Sequence, residues 1–185
     1  AHKIYGPKGI GILYKHRSVR LDPLIHGGGH EMGLRSGTVN VPGVVGLGTA
    51  FELITQNRYE ESEKIKALTE SFITALDQSG IKYFINGPKT NRLVGNLNIC
   101  IKDVDADWLT TMLSNIAMAK GSACTSETIQ PSHVLRAIGV SDQHADCSLR
   151  ISFGRFTTER DVLTAANQIV DKANSYITKR ATLAI

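Results

Sequence analysis

From Pro42 to about Asp77 the apolar residues recur, with interruptions, at intervals of three and four, a period that fits an α-helix and no β-strand. Ile65, Leu68, Phe72 and Leu76 fall on one face, while Glu60, Glu61, Glu63, Lys64, Lys66 and Glu70 mostly occupy the other and read as its wet side. Pro42 suits a first helical turn. The rest of the 185-residue chain is read outward from this helix. Before it, the first forty residues are rich in glycine and poor in helix formers. Gly9-Ile-Gly-Ile-Leu-Tyr14 is expected to form a short buried strand, with a second apolar stretch from Leu21 to Ile25 and a loop at His26-Gly-Gly-Gly-His30.

After Ser79-Gly80 the pattern changes to alternating strand and helix. Strands are expected from Lys82 to Ile85 and from Val94 to Ile101, and Asp105 can cap a helix running through Trp108 to about Ser114. Trp108 and Met112, at helical spacing, read as core. Ile116 to Met118 is expected as a short strand leading into Gly121-Ser-Ala-Cys-Thr-Ser126, and a helix near His133 to Ile138 follows. Leu149 to Phe153 is strand-like, and Thr158 caps a last helix whose Val162, Ala166, Ile169, Val170, Ala173 and Ile177 form one stripe. A small α+β domain emerges, with a boundary near residues 55 to 62 and an N-terminal piece too small to fold alone.

Composition removes several classes. With 42% apolar, 21% charged and 6% aromatic residues the chain has enough apolar content for a core, which excludes disorder and collagen. Cys100, Cys124 and Cys147 are odd in number and lack a CxxC spacing, so neither a disulfide framework nor a four-thiolate zinc site is indicated, and a reducing compartment fits. No apolar run approaches the roughly 20 residues needed to cross a bilayer, and the start lacks a secretion signal, which points to the cytoplasm. The chain opens without methionine, as expected of a cut or processed polypeptide. The net charge of +4 comes from scattered Lys and Arg with no interleaved aromatics, so no direct nucleic-acid binding is expected.

Several groups of residues bear on the chemistry. Ser122-Ala123-Cys124-Thr125 places a thiol among small residues and hydroxyls, where it is either an inert loop cysteine or a nucleophile whose thiolate those surroundings stabilise. Cys100 in Asn98-Ile-Cys-Ile101 reads as packing and Cys147 as structural. His26 and His30 resemble a metal pair, but a triple-glycine linker suits close backbone approach better, and no metal site is expected. Gly6-Pro-Lys-Gly9 has neither the Walker spacing nor the dinucleotide fingerprint. Arg35-Ser36-Gly37-Thr38 is either an ordinary turn or a phosphate contact made by guanidinium, hydroxyls and backbone amides. Arg150 sits in the apolar run Ser148-Leu-Arg-Ile-Ser152, where a buried charge requires an anion: a substrate carboxylate or a structural Asp. Lys3 and His2, taken alone, read as solvated side chains.

Together these pieces resemble the C-terminal half of a cysteine desulfurase of the IscS/NifS type. The matching stretches are Ala1-His-Lys-Ile-Tyr-Gly-Pro-Lys-Gly-Ile-Gly11, His26-Gly-Gly-Gly-His-Glu31, Leu34-Arg-Ser-Gly-Thr38, Gly121-Ser-Ala-Cys-Thr-Ser126, Pro131 through Gly139, and Leu149-Arg-Ile-Ser-Phe-Gly-Arg-Phe-Thr-Thr158. The resemblance implies an α/β fold: the C-terminal part of a fold-type I transferase dependent on pyridoxal phosphate. Residues 1–58 would be the end of the large cofactor-binding domain and its sheet. Residues 59–185 would be a small α+β C-terminal domain carrying a mobile cysteine loop at about 120–130.

Position by position, Lys3 resembles the lysine that holds pyridoxal 5'-phosphate as a Schiff base, and His2 the neighbour that contacts the cofactor phosphate. Thr38 resembles the residue lent to the phosphate of the opposite subunit, which implies a homodimer. Arg150 resembles the arginine that clamps the substrate carboxylate, and Cys124 the nucleophile that accepts sulfur as a persulfide. The implied reaction converts L-cysteine to L-alanine and passes sulfur to an iron–sulfur scaffold or another acceptor, for cluster or thio-cofactor synthesis. The resemblance places the enzyme in the cytoplasm, with the mitochondrial matrix as the alternative. Family members are about twice this length, so the 185-residue chain alone is expected to be inactive without an N-terminal half. A non-catalytic sulfur carrier and a selenocysteine lyase are the competing readings.

Overall fold

The computed structural model describes residues 1–120 and 132–183. The chain divides into two compact units, Ala1–Tyr59 and Glu60–Ile185, and α1 (Val41–Ser79) runs through the division. The periodic pattern therefore locates α1 to within two residues at either end. Asn40 Oδ1 accepts a hydrogen bond from the Gly43 amide at 3.1 Å and so satisfies one of the free N–H groups of the first turn.

In the first unit, His2–Ile4 is a single 3-10 turn closed by the Ile4 and Gly6 amides donating to the Ala1 carbonyl. A second such turn covers Glu31–Gly33. Pro7 lies against the start of α1, close enough that a Cβ on Gly46 would stand 2.5 Å from its Cγ, so only glycine admits this contact. Leu47 and Ala50 are the buried apolar side chains of the unit among the described residues. The stretch from Gly9 to Tyr14 is not a strand. Ile12, Leu13 and Tyr14 are 75–87% exposed, and among the described residues the unit contains no strand to take up their backbone groups.

In the second unit a four-stranded sheet runs β1 (Tyr83–Ile85), β2 (Asn96–Ile101), β4 (Ser148–Ser152), β3 (Ala119–Lys120) in spatial order, antiparallel throughout. Leu97, Ile99 and Ile101 of β2 face inward with Leu149 and Ile151 of β4. Against them pack Leu68, Phe72 and Leu76 of α1, Leu109 of α2 (Ala106–Met112), and Val162, Ala166, Ile169 and Ala173 of α5 (Glu159–Leu183). Asp105 caps α2 through the Trp108 amide at 2.7 Å, as expected. Thr158 and Asp161 exchange hydrogen bonds in a capping box at the start of α5.

Several expectations need correction. The strand before the cysteine segment is Ala119–Lys120, because only these residues align with Arg150 and Leu149; Ile116 and Met118 instead lay their side chains on the core. Met112 is 46% exposed and Ile177 38%, so both sit at the margin of their stripes. Glu61 is not on a wet face: its carboxylate meets the Arg155 guanidinium at 2.6 Å, with side chains only 18% and 20% exposed. Two short helices complete the unit: α3 (His133–Ala137), as expected, and α4 (Asp142–Asp146), which the sequence reading missed although Ser141 caps it through the His144 amide.

The β2 and β4 side chains that alternate with the core line an outer face. Its Cys100–Ser148 end is roofed by α4, whose His144 ring stacks on Phe84 at 5.7 Å, leaving Cys100 and Ser148 buried. Its other end, with Asn96, Arg150 and Ser152, is exposed.

Gly95 locks the approach to β2. Its φ is +72°, its carbonyl accepts the Phe153 amide at 2.8 Å, and a Cβ there would clash with Ile65 and stand 2.9 Å from the Phe153 carbonyl oxygen. Gly95→Ala combines a left-handed residue with overpacking and should destabilise the protein by about 2–4 kcal/mol, read as a lowered urea midpoint at unchanged m-value. A midpoint equal to wild type would show that α1 and the Phe153 turn are loosely joined.

Candidate functional site

The sequence-predicted residues fall in both units. In the first, His2 and Lys3 occupy the exposed 3-10 turn, followed by Tyr5 in the left-handed region at φ 65°. Neither side chain has a hydrogen-bond or ion-pair partner among the described residues. Thr38 is exposed just ahead of α1. The turn before it is docked from below: Ser36 is buried, its Oγ donates to the Gly28 carbonyl at 2.6 Å and its amide donates to the Ile25 carbonyl at 3.3 Å. The triple-glycine loop and the Arg-Ser-Gly-Thr turn are thus one structure, with Ser36 as the joint. The Arg35 guanidinium folds back on the Ser36 carbonyl, while the Thr38 hydroxyl stays uncommitted among the described residues.

A primary amine, an imidazole and a hydroxyl, all exposed and uncommitted, fit the needs of pyridoxal phosphate: an amine for its carbonyl and donors for its phosphate. Cys124 lies outside the described residues. Ahead of it in the chain, Lys120 Nζ binds Asp107 at 2.7 Å and Asp146 at 3.6 Å and so links β3 to α2 and α4. Burial pulls the Lys120 ammonium down, but the hydrogen bond to Asp107 and the surrounding carboxylates outweigh it and hold the pKa above its ordinary value.

In the second unit, Arg150 stands on the outer face of β4, paired across the ladder with Asn98 on one side and Ala119 on the other. It is exposed and makes no ion pair among the described residues. Of the two partners that the sequence left open, no structural Asp therefore meets it there. Beside it lies a polar group that sequence reasoning missed. Asn86 Nδ2 donates to Asn98 Oδ1 at 2.6 Å and to Ser148 Oγ at 2.9 Å, and Ser148 donates in turn to the His144 carbonyl at 2.7 Å. The signal available was the alternation of Asn96 and Asn98, and of Ser148, Arg150 and Ser152, with apolar neighbours.

The two described thiols are poor nucleophiles. Burial pushes Cys100 up to about 11, with neighbouring Cys147 adding to the effect. Burial also raises Cys147, reinforced by the charges of Asp103, Asp105 and Asp146. A concavity of about 440 Å³ beside Cys147, lined also by Asp103, Asp105, Asp146, Tyr176 and Arg180, contains none of the predicted site residues.

Comparison with known proteins decides the family, because the model of the aminotransferase class-V family matches residues 1–164. The chain belongs to the aminotransferase class-V family. Among curated relatives it is 46% identical over 176 residues to the cysteine desulfurase IscS of Pseudomonas putida (strain F1), covering 94% of this chain and 43% of the relative. It is 48% identical over 177 residues to the cysteine desulfurase IscS of Acinetobacter baumannii (strain AYE), covering 93% and 44%. The chain thus spans less than half the length of these relatives. Among solved structures, a NifS-like protein superposes with a TM-score of 0.82 at 33% identity over 94% of this chain and 44% of its own. SspA in complex with cysteine does so at 0.64 and 37% identity, covering 85% and 43%. The α/β fold expected from the resemblance is the fold of these class-V structures.

Because a thiol reacts as its thiolate, the raised pKa of Cys100 and its burial in β2 both hold back its reaction near neutral pH. Iodoacetamide labelling of the native protein followed by peptide mass mapping should therefore leave Cys100 nearly unmodified at pH 7–8. Its rate should rise about tenfold per pH unit toward pH 10. Rapid, pH-independent labelling of Cys100 would show that its strand opens or that its thiol is not suppressed.

Proposed function

We propose that this chain is the C-terminal part of a cysteine desulfurase that converts L-cysteine to L-alanine and carries the released sulfur on Cys124. The observation that carries this reading is the 46% identity, across 94% of the chain, to a protein named cysteine desulfurase IscS. The similarity to SspA, solved in complex with cysteine, supports the substrate. Residues 1–58 then belong to the large cofactor-binding domain and 59–185 to the small C-terminal domain. Since the chain spans 43% of that relative, the activity is proposed for a protein that also carries the counterpart of the remainder, and the 185 residues alone are inactive.

Pyridoxal phosphate, when bound, supplies an electron sink for cleavage of the substrate C–S bond. Lys3 would hold it covalently and would move a proton at Nζ; the His2 imidazole and the Thr38 hydroxyl would contact its phosphate, Thr38 that of the opposite subunit of a homodimer. Arg150 orients L-cysteine by a bidentate grip on its carboxylate, which its exposed, uncommitted guanidinium supports. The Cys124 thiolate attacks the substrate sulfur. A new S–S bond forms, the C–S bond breaks, and the electron pair left on carbon takes up a proton to give alanine. The persulfide then passes to an acceptor protein, with an iron–sulfur scaffold as the proposed one. The site of action is proposed to be the cytoplasm, or else the mitochondrial matrix; among the described residues no helix is long and apolar enough to cross a membrane.

The test is made in the complete protein. Cys124→Ser should keep the visible absorbance of the bound cofactor and lose protein-bound persulfide at least 100-fold, measured by mass spectrometry after incubation with L-cysteine. Lys3→Ala should remove that absorbance, and Arg150→Ala should raise KM for L-cysteine tenfold or more. Wild type that binds no cofactor yet accepts a persulfide on Cys124 would favour a non-catalytic sulfur carrier, and faster turnover of selenocysteine than of cysteine would favour a lyase.

A further inference from the structure

The proton positions on the outer face of the sheet are settled by a single group that can only accept. The His144 carbonyl oxygen lies 2.7 Å from Ser148 Oγ, so Ser148 must donate to it, which leaves the Ser148 oxygen as an acceptor. The Asn86 side-chain atom 2.9 Å from that oxygen is therefore its amide nitrogen, not its oxygen. The same nitrogen lies 2.6 Å from the Asn98 side chain, so the atom it meets there is Asn98 Oδ1. Three links from a backbone carbonyl thus fix the orientation of Asn98, and its NH2 group is the one without a partner among the described residues. Ser148 is fully buried and Asn86 half-buried, so the relay is shielded where it begins.

Asn98 stands directly across the ladder from Arg150. Side chains at one antiparallel register position project from the same face with Cβ atoms roughly 4.5–5.5 Å apart. The pair therefore presents a guanidinium and an amide NH2 side by side, both of them donors. A carboxylate has two oxygens and four lone-pair directions, more than one guanidinium satisfies. We propose that Asn98 is a second binding residue for the carboxylate of the amino-acid substrate, acting beside Arg150, and that Asn86 and Ser148 are positioning residues that hold its NH2 toward that ligand.

The inference rests on the reading of Arg150 as the substrate clamp, and it adds a prediction of selectivity. Two donors set side by side discriminate against a ligand whose carboxylate is replaced by an amide, since in either orientation the amide's own NH2 faces one of them. The probes are L-alanine, the product, and L-alaninamide, which lacks the carboxylate; binding of each to the complete cofactor-loaded protein is measured by calorimetry. This readout is independent of turnover. Asn98→Ala should weaken L-alanine about 10- to 100-fold, the span for a hydrogen bond to a charged group, while changing L-alaninamide much less. Asn98→Asp, which sets a carboxylate against a carboxylate, should weaken L-alanine further. Asn86→Ala releases the orientation without removing the donor and should give a smaller loss with the same selectivity; it carries the test should Asn98→Ala fail to fold.

Arg150→Ala is measured in parallel so that the two levels can fail separately. Loss of carboxylate preference in both Arg150→Ala and Asn98→Ala supports the proposal. Loss in Arg150→Ala alone, or equal weakening of both ligands in Asn98→Ala, overturns the role of Asn98 and leaves the desulfurase reading standing. Preference retained in both variants overturns the clamp itself, and the proposal with it.

Discussion

The second unit depends on the register between β2 and β4. Five consecutive Cα pairs, from Asn96 opposite Ser152 to Cys100 opposite Ser148, put Leu97, Ile99, Leu149 and Ile151 on one face and Asn98 and Arg150 on the other. A strand alternates with a period of two, so a slip of one residue would bury Arg150 and expose Ile151. The core and the candidate substrate contact are therefore two consequences of one pairing. The apolar face against α1, α2 and α5 supplies the driving force, and the polar face inherits its geometry without needing to stabilise anything.

What could be read from the sequence follows the same division. Helical stripes, the Asp105 and Thr158 caps and the alternating strands are local signals, and each produces an element close to its expected place. Residues 9–14 misled because an apolar run says nothing about whether a neighbour exists to complete a ladder. Helix α4 escaped because Asp142–Asp146 is too short to show a period, although its Ser141 cap was visible. Glu61 shows the converse: on its own helix it reads as solvated, and only Arg155, distant in sequence, gives it a partially buried partner. Of the candidate site, the motifs name Lys3, His2, Thr38, Arg150 and Cys124. The Asn86–Ser148–His144 relay joins three separate elements and leaves no mark at any fixed spacing.

The first unit has the opposite character. Its described backbone before α1 consists of turns and unpaired segments, and Leu24 and Met32 are more than 90% exposed. With Leu47, Ala50 and Ser36 as its buried side chains, it draws little stability from a core of its own. The unit's order comes instead from close backbone packing, at Gly46 against Pro7 and at Ser36 against the Gly27–Gly28 turn. Such packing gives precise placement to exposed side chains such as Lys3 and Thr38 without burying them.

Cys124 is approached from both directions by residues whose positions are determined. On one side, β3 pairs with Arg150 and Leu149 while Lys120 is held by Asp107 and Asp146. On the other, Ser132 is buried at the start of α3, and its carbonyl accepts the Arg136 amide at 3.1 Å. The Lys120 contacts are ion pairs on a partly exposed side chain, individually worth little in salt, so the backbone pairing of β3 must do most of the anchoring. That pairing places Lys120, the last described residue before Cys124, on the strand next to Arg150. The strand that leads the chain toward Cys124 therefore pairs directly with the strand that carries the guanidinium proposed to hold the substrate.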